Sequence, residues 1–448
     1  METPIYDFVK RYGEQDISRL HMPGHKGAAV LGCEKWDITE IKGADALYEA
    51  DGIIAESEEN ARRLFGMGRT LYSTEGSSQC IRAMLFLAMQ QAEKTAVRPV
   101  VLAARNAHKA FLYSCALLDL DVQWMMPMQE KGASLCSCPI TPLQVRDTLK
   151  EMKQKPIAVY ITAPDYLGYS PDIRGIADVC REAGLPLLVD NAHGAYLGFL
   201  EPSRHPVHLG AAMSCDSAHK TLPVLTSGAY LQLSAEWAEK AGGQAKKALE
   251  LFGSTSPSYL ILQSLDRFNA DAAYRADLKV TIAQMDVMLK EKLLALGWEV
   301  AHTDPLKLTV YTGSMGYTGA EVAEHLRNYD VECEFADLNA VVLMATPSNT
   351  AKDFQRVKQA FYMLQKKEAI AKTPLPLYQP KQCMTIREAI FSQWESVPVR
   401  EAVGRICGVP CVSCPPAIPI AASGEEITEE LIELFLAYGI ETIDVVRE

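Results

Sequence analysis

The chain has 448 residues, 48% hydrophobic and 22% charged, enough for two or three domains with a large core, which excludes wholesale disorder. Its formal charge is −12, from Lys+Arg 44 against Asp+Glu 56, a sign that repels phosphate backbones and argues against nucleic acid as a partner. No apolar run reaches the roughly 20 residues needed to cross a bilayer. The opening METPIYDFVKRYGEQD lacks the apolar core of a signal peptide, and 12 scattered cysteines suit reduced thiols, so the expected location is the cytoplasm.

From about residue 57 to 265, short apolar runs alternate with amphipathic stretches. PVVLAA from 99, PIAVYIT from 156, PLLVD from 186 and GAYLQL from 228 read as buried strands, while SSQCIRAMLFLAMQQA, TPLQVRDTLKEM and DIRGIADVCREAG read as helices. The alternation predicts an α/β fold with a mostly parallel sheet, and ligands in such sheets collect at the C-terminal strand ends. A long helical pattern from Ser258 to about Leu296 leads towards a second unit. Shorter strand-like and helical runs over 300–365 predict a smaller α/β domain, and TPLPLYQPKQ (373–382) reads as a linker. The boundaries expected are 1–275 for an N-terminal arm and large domain, 276–372 for a small domain and 373–448 for a compact C-terminal domain.

Asp190 ends the strand PLLVD, and Lys220, in CDSAHKTLPVLTSGA, follows the next strand-like run. Such a pair is either a structural ion pair or a pyridoxal phosphate site, in which the lysine condenses with the cofactor aldehyde and the carboxylate keeps the pyridine nitrogen protonated. Lys26 and Lys109 also follow histidines, but Lys26 has no strand end to hold it and Lys109 opens an apparent helix. Gly76, Ser77 and Ser78 precede an amphipathic helix, where N–H groups and hydroxyls either bind a phosphate or merely cap the helix. His108 either covers a flat cofactor or is a helix-start histidine in water; His193 either contacts the cofactor or substrate or is a turn residue.

Two metal patterns compete. Cys407, Cys411 and Cys414 have the C-x3-C-x2-C spacing of iron–sulfur ligands, but their place near the chain end argues against a cluster. His21 and His25 have helical zinc spacing, but Pro23 and Gly24 forbid the helix that would align them. No metal is expected.

Taken in order, RLHMPGHKG, STEGSSQ, RNAHKAF, VDNAHGAY, DSAHKTL, STSPSYLILQSLD, EAVGRI and PPAIPI resemble the Orn/Lys/Arg decarboxylases, pyridoxal phosphate enzymes of fold type I, the aspartate aminotransferase-like fold. The resemblance implies decarboxylation of arginine, lysine or ornithine to CO2 and a polyamine-pathway amine. It makes Lys220 the cofactor-bound lysine, Asp190 the partner of the ring nitrogen, His108 the residue stacked on the ring and His193 its neighbour. Ser77, Ser78, Ser217 and His219 are implied phosphate ligands, with Thr255 reaching across from a second subunit, hence a homodimer. It further implies the short form, without a receiver-like N-terminal domain. Lys220 or His219 is the expected acid that protonates the α-carbon. For the substrate's cationic tail, Glu334 and Asp337 in CEFADL are the candidates, against the alternative of a solvated charge pair on an edge strand. The chain departs from the family pattern at Ala46, Tyr48, Asn191 (usually glutamate), Tyr196, Cys414 and Ala417. A fold type I aminotransferase, or a cofactor-binding regulatory homologue without turnover, are the alternatives.

Overall fold

The computed structural model describes residues 1–94, 96–127, 134–301, 303–370, 379–410 and 418–447. Seven strands form one sheet: β1 (Arg69–Ser73), β2 (Val100–Ala104), β3 (Asp121–Met125), β4 (Ala158–Thr162), β5 (Leu187–Asp190), β6 (Met213–Asp216) and β7 (Ala229–Leu233). Their order is β1-β7-β6-β5-β4-β2-β3, with β5 parallel to β6, β2 parallel to β3, and β7 antiparallel to both β1 and β6. The continuous apolar runs of β2, β4, β5 and β7 follow from their place in the sheet, where both faces are covered and nearly every residue is buried.

Chain contacts divide the molecule into two compact units. The first comprises 1–94, 157–159 and 173–273. Its core includes an aromatic cluster in which the Phe65 ring lies 5.0 Å from Phe199 and 5.1 Å from Tyr230. Burying rings of this size contributes about 1.5–3 kcal/mol each.

The expected long helix after Ser258 is in fact broken. The helix Tyr259–Asn269 stops where Asn269 donates its amide to Ser57 O (3.0 Å) and Tyr72 Oη (2.8 Å), and Asp271 Oδ1 then accepts the N–H of Ala273 (3.2 Å). The chain resumes as Tyr274–Gln284, a π-helical turn Met285–Lys290 and Glu291–Ala295. Helical periodicity survives the break because both pieces bury an apolar face.

The second unit comprises 95–156, 160–172 and 274–448. Within it β8 (Glu299–Val300), β9 (Lys307–Tyr311), β10 (Phe335–Ala336) and β11 (Ala340–Met344) form an antiparallel sheet in the order β10-β11-β9-β8. The helices Gly319–Arg327 and Ala351–Tyr362 close its core around Leu308, Val310, Val341 and Phe361. Nearer the C-terminus β12 (Trp394–Pro398) pairs with β13 (Thr442–Val446) beside the helix Glu429–Ala437.

Candidate active site

In the first unit β5 and β6 run parallel with Asp190 opposite Cys215. Asp190 is 3% exposed; its Oδ1 accepts the Ala192 N–H at 3.1 Å and the Cys215 thiol at 3.4 Å. The turn after β5 carries His193, buried, and is closed by the Gly194 N–H on Asn191 O (2.8 Å). After β6 the chain makes one short helical turn, Ala218–Thr221, which brings Lys220 Nζ to 2.9 Å from His193 Nε2. Two turns leaving adjacent strand ends thus meet side chain to side chain.

The same edge gathers hydroxyls. Ser217 Oγ donates to Ser77 Oγ at 3.0 Å, tying the end of β6 to the start of the sixteen-residue helix Gly76–Gln91. Gly76 has φ +71° and donates its N–H to Ser227 O (2.8 Å), and open space lies where a side chain at 76 would stand. Ser77 and Ser78 are half-buried in the first helical turn, where unpaired N–H groups and the helix dipole favour an anion. His219 lies on the other side of Lys220 with its Nδ1 3.1 Å from Gly228 O. A carbonyl only accepts, so Nδ1 carries the proton and Nε2 the lone pair. Burial, chiefly, lowers the pKa of His219 and favours this neutral form.

Thr255 is exposed, in the loop after the helix Ala235–Leu251, and that loop is anchored where the Ser254 N–H donates to Glu75 Oε1. His108, Glu334 and Asp337 belong to the second unit. His108 caps the helix Lys109–Leu118, its Nδ1 accepting the Ala110 N–H at 3.1 Å. The carboxylate of Asp337 closes the β10–β11 turn by accepting the N–H groups of Asn339 and Ala340, both at 2.8 Å, and burial raises its pKa. Glu334 pairs its N–H with Val342 O (2.9 Å).

Of the metal patterns, Cys411 and Cys414 lie outside the described residues, and Cys407 is a buried thiol donating to Val409 O (3.4 Å). His21 Nε2 faces Tyr12 Oη (2.9 Å) and His25 Nε2 faces Asp37 (3.2 Å). Among the described residues no cluster suited to a metal occurs, none of the ten cysteines forms a disulfide, and no helix is long and apolar enough to cross a membrane.

Residues 3–292 match the model of the Orn/Lys/Arg decarboxylase major domain, and residues 363–441 that of the family's C-terminal domain. The chain belongs to the Orn/Lys/Arg decarboxylase family. It is 28% identical over 462 positions to an arginine decarboxylase of Bacillus subtilis, spanning 96% of this chain and 92% of that one. An arginine decarboxylase of Halalkalibacterium halodurans is 26% identical over 96% of this chain and 91% of its own length. Among solved structures, the lysine decarboxylase of Francisella novicida superposes with a TM-score of 0.81 at 17% identity, over 99% of this chain and 81% of the other. The fold is therefore fold type I, and the protein is a pyridoxal phosphate-dependent decarboxylase of a basic amino acid.

The donor set fits that cofactor. One edge of the first unit supplies a primary amine, a buried carboxylate and a hydroxyl-lined helix N-terminus, which are the partners required by an aldehyde, a protonated ring nitrogen and a phosphate. Sequence reasoning missed the polar residues behind this edge, His205, Asp216 and Gln232, and the Gln79 amide that donates to Tyr48 Oη at 2.8 Å. The serine at 73 beside Gln79, and the aspartate before Ser217, were the faint signals available.

Proposed function

We propose that this enzyme decarboxylates arginine to agmatine, as the cytoplasmic first step towards polyamines, and works as a homodimer. What supports arginine over lysine or ornithine is that four of the sequence relatives spanning nearly the whole chain are named arginine decarboxylases, whereas the lysine decarboxylase of Pseudomonas aeruginosa matches in sequence over 59% of it. The observation that carries the reading is the Lys220–His193 contact beside buried Asp190.

Bound through its aldehyde, the cofactor supplies a ring that accepts the electron pair left when CO2 departs. Lys220 is the residue that holds the aldehyde between turnovers and, with its amine freed, returns a proton to the α-carbon. His193 orients that amine. Neutral His219, its Nδ1 proton spent on Gly228 O, leaves Lys220 the better proton donor of the two. Asp190 keeps the ring nitrogen protonated, and Ser77, Ser78 and Ser217 donate to the phosphate, joined by Thr255 of a second subunit. The reading gives His108 the ring face and Glu334 or Asp337 the substrate's cationic end. The division at 275 and 372 completes it.

The test is incubation of purified, cofactor-loaded protein with arginine, lysine and ornithine, measuring CO2 and amines. Agmatine as the main product is expected; cadaverine or putrescine in excess rejects arginine, and a 2-oxo acid without CO2 rejects decarboxylation. Borohydride reduction followed by peptide mapping should place the label on Lys220, and Lys220→Ala should lose both label and visible absorbance.

A further inference from the structure

Behind the Asp190–Lys220 edge lies a second buried carboxylate, Asp216, the last residue of β6, with no exposed surface. Four groups donate to it. Asn191 Nδ2 (2.8 Å) and Ser214 Oγ (3.1 Å) reach Oδ1; His205 Nε2 (2.9 Å) and Gln232 Nε2 (3.3 Å) reach Oδ2. His205 Nδ1 accepts the Val207 N–H (3.3 Å), so its proton is on Nε2 and the ring is neutral. The Gln232 amide is oriented by Thr70, whose hydroxyl donates to Oε1 at 2.6 Å. Among the described residues no lysine or arginine touches Asp216, so its oxygens are satisfied by neutral donors alone.

The placement is specific. Asn191 follows Asp190, and Asp216 precedes Ser217 and stands four residues before Lys220. The Asn191 N–H donates to Cys215 O at 3.0 Å, and the Asn191–Asp216 side-chain bond extends the pairing of the strands past the end of β5. Asn191 Oδ1 is buried without a partner among the described residues, so the amide is held there as a donor to Asp216. Position 191 is also where the family pattern has glutamate. A glutamate there would set two carboxylates against each other, a contact that repels unless the two share a proton.

We propose that Asp216 is a positioning residue of the cofactor site, and that 191 and 216 form a coupled pair carrying one carboxylate in all, supplied here from β6 rather than from the turn after β5. The pair locks the strand end bearing Asp190 to the turn bearing Ser217 and Lys220. This rests on the cofactor reading above. The test is a double-mutant cycle of Asn191→Glu, Asp216→Gln and the two combined. Each apo-protein is titrated with pyridoxal phosphate by absorbance, its melting temperature is recorded, and the label is mapped after borohydride reduction. Each single change is expected to weaken cofactor binding about tenfold and shift the visible band, with the combined variant recovering most of both.

Losses that simply multiply in the combined variant overturn the coupling. A lower melting temperature with unchanged affinity and band position overturns positioning in favour of bare structural support. Should Asn191→Glu fail to fold alone, folding of the combined variant supports the pair. If both fail, Asp216→Asn decides, since parental affinity and absorbance in it reject the role. Parental protein that carries no label at Lys220 sinks the cofactor reading instead, whatever the cycle gives.

Discussion

Glu425 in the second unit and Asp216 in the first are both buried carboxylates with every oxygen partnered, yet they are satisfied in opposite ways. Glu425, 1% exposed, meets the Arg105 guanidinium in a two-pronged pair, Nη1 to Oε1 and Nη2 to Oε2, both at 2.8 Å, and also accepts the Ala422 N–H (2.7 Å). Arg105 donates further to Ile420 O (3.1 Å), joining the chain just past β2 to the C-terminal segment. Charge meets charge there, and the pair is locally neutral. Asp216 meets only dipoles, from Asn191, Ser214, His205 and Gln232. The first arrangement fastens parts of a unit together through charge; the second fixes geometry through a set of directed hydrogen bonds.

If that contrast is right, the largest stability loss comes from halving the neutral pair. Arg105→Met leaves Glu425 buried without its counter-charge and should cost about 3–5 kcal/mol in chemical denaturation. Arg105→Met with Glu425→Gln should recover a large part of it, and no recovery would show that guanidinium packing on Trp124, 4.9 Å below it, matters more than charge. Asp266 provides the next test, being a fully buried carboxylate with two neutral donors, Ser57 Oγ (2.6 Å) and the Tyr6 N–H (2.9 Å). Burial pushes its pKa up to about 6. The raised value means the folded state binds the proton more tightly than the unfolded chain does. Its stabilising contribution is therefore complete below the ordinary aspartate range and is lost as pH rises through about 6. The difference in unfolding free energy between parent and Asp266→Asn should swing by about 2 kcal/mol between pH 4 and 7, the parent gaining on the acid side. A flat difference across that range would mean Asp266 keeps its charge as comfortably as an exposed carboxylate.

The same contrast explains what the sequence could disclose. β2, β4, β5 and β7 were legible because burial on both faces writes a continuous apolar run, and the placing of Asp190 and Lys220 on one sheet edge because Asp190 ends a strand and Lys220 lies in the turn after the next. β1 was not, since Arg69-Thr70-Leu71-Tyr72-Ser73 carries polar groups used internally: Thr70 on Gln232, and Ser73 on Gln79 Oε1 at 2.5 Å. The break after Asn269 was hidden because the deciding partners, Ser57 and Tyr72, lie about two hundred positions earlier. Asp216 was invisible for the same reason. Its donors come from 191, 205, 214 and 232, and only the folded sheet brings them to one carboxylate.

The smallest expected effect comes from a carboxylate with neutral donors in water. Glu321, at the start of the helix Gly319–Arg327, accepts the Thr318 N–H (2.8 Å) and hydroxyl (3.2 Å), while its own N–H donates to Thr318 Oγ1 (3.2 Å). The Thr318 N–H is the main cause of its lowered pKa, opposite in direction to Asp266, because at this exposed position the hydrogen bond outweighs desolvation. Glu321→Ala should cost about 0.5–1 kcal/mol at neutral pH. With the folded pKa depressed, that contribution is present above the ordinary glutamate range and fades as pH falls through the lowered value, the reverse of the Asp266 profile. Measuring both variants over one pH series separates donor bonding from burial. Were the two profiles to run in the same direction, the distinction drawn between dipoles in water and dipoles in the core would fail.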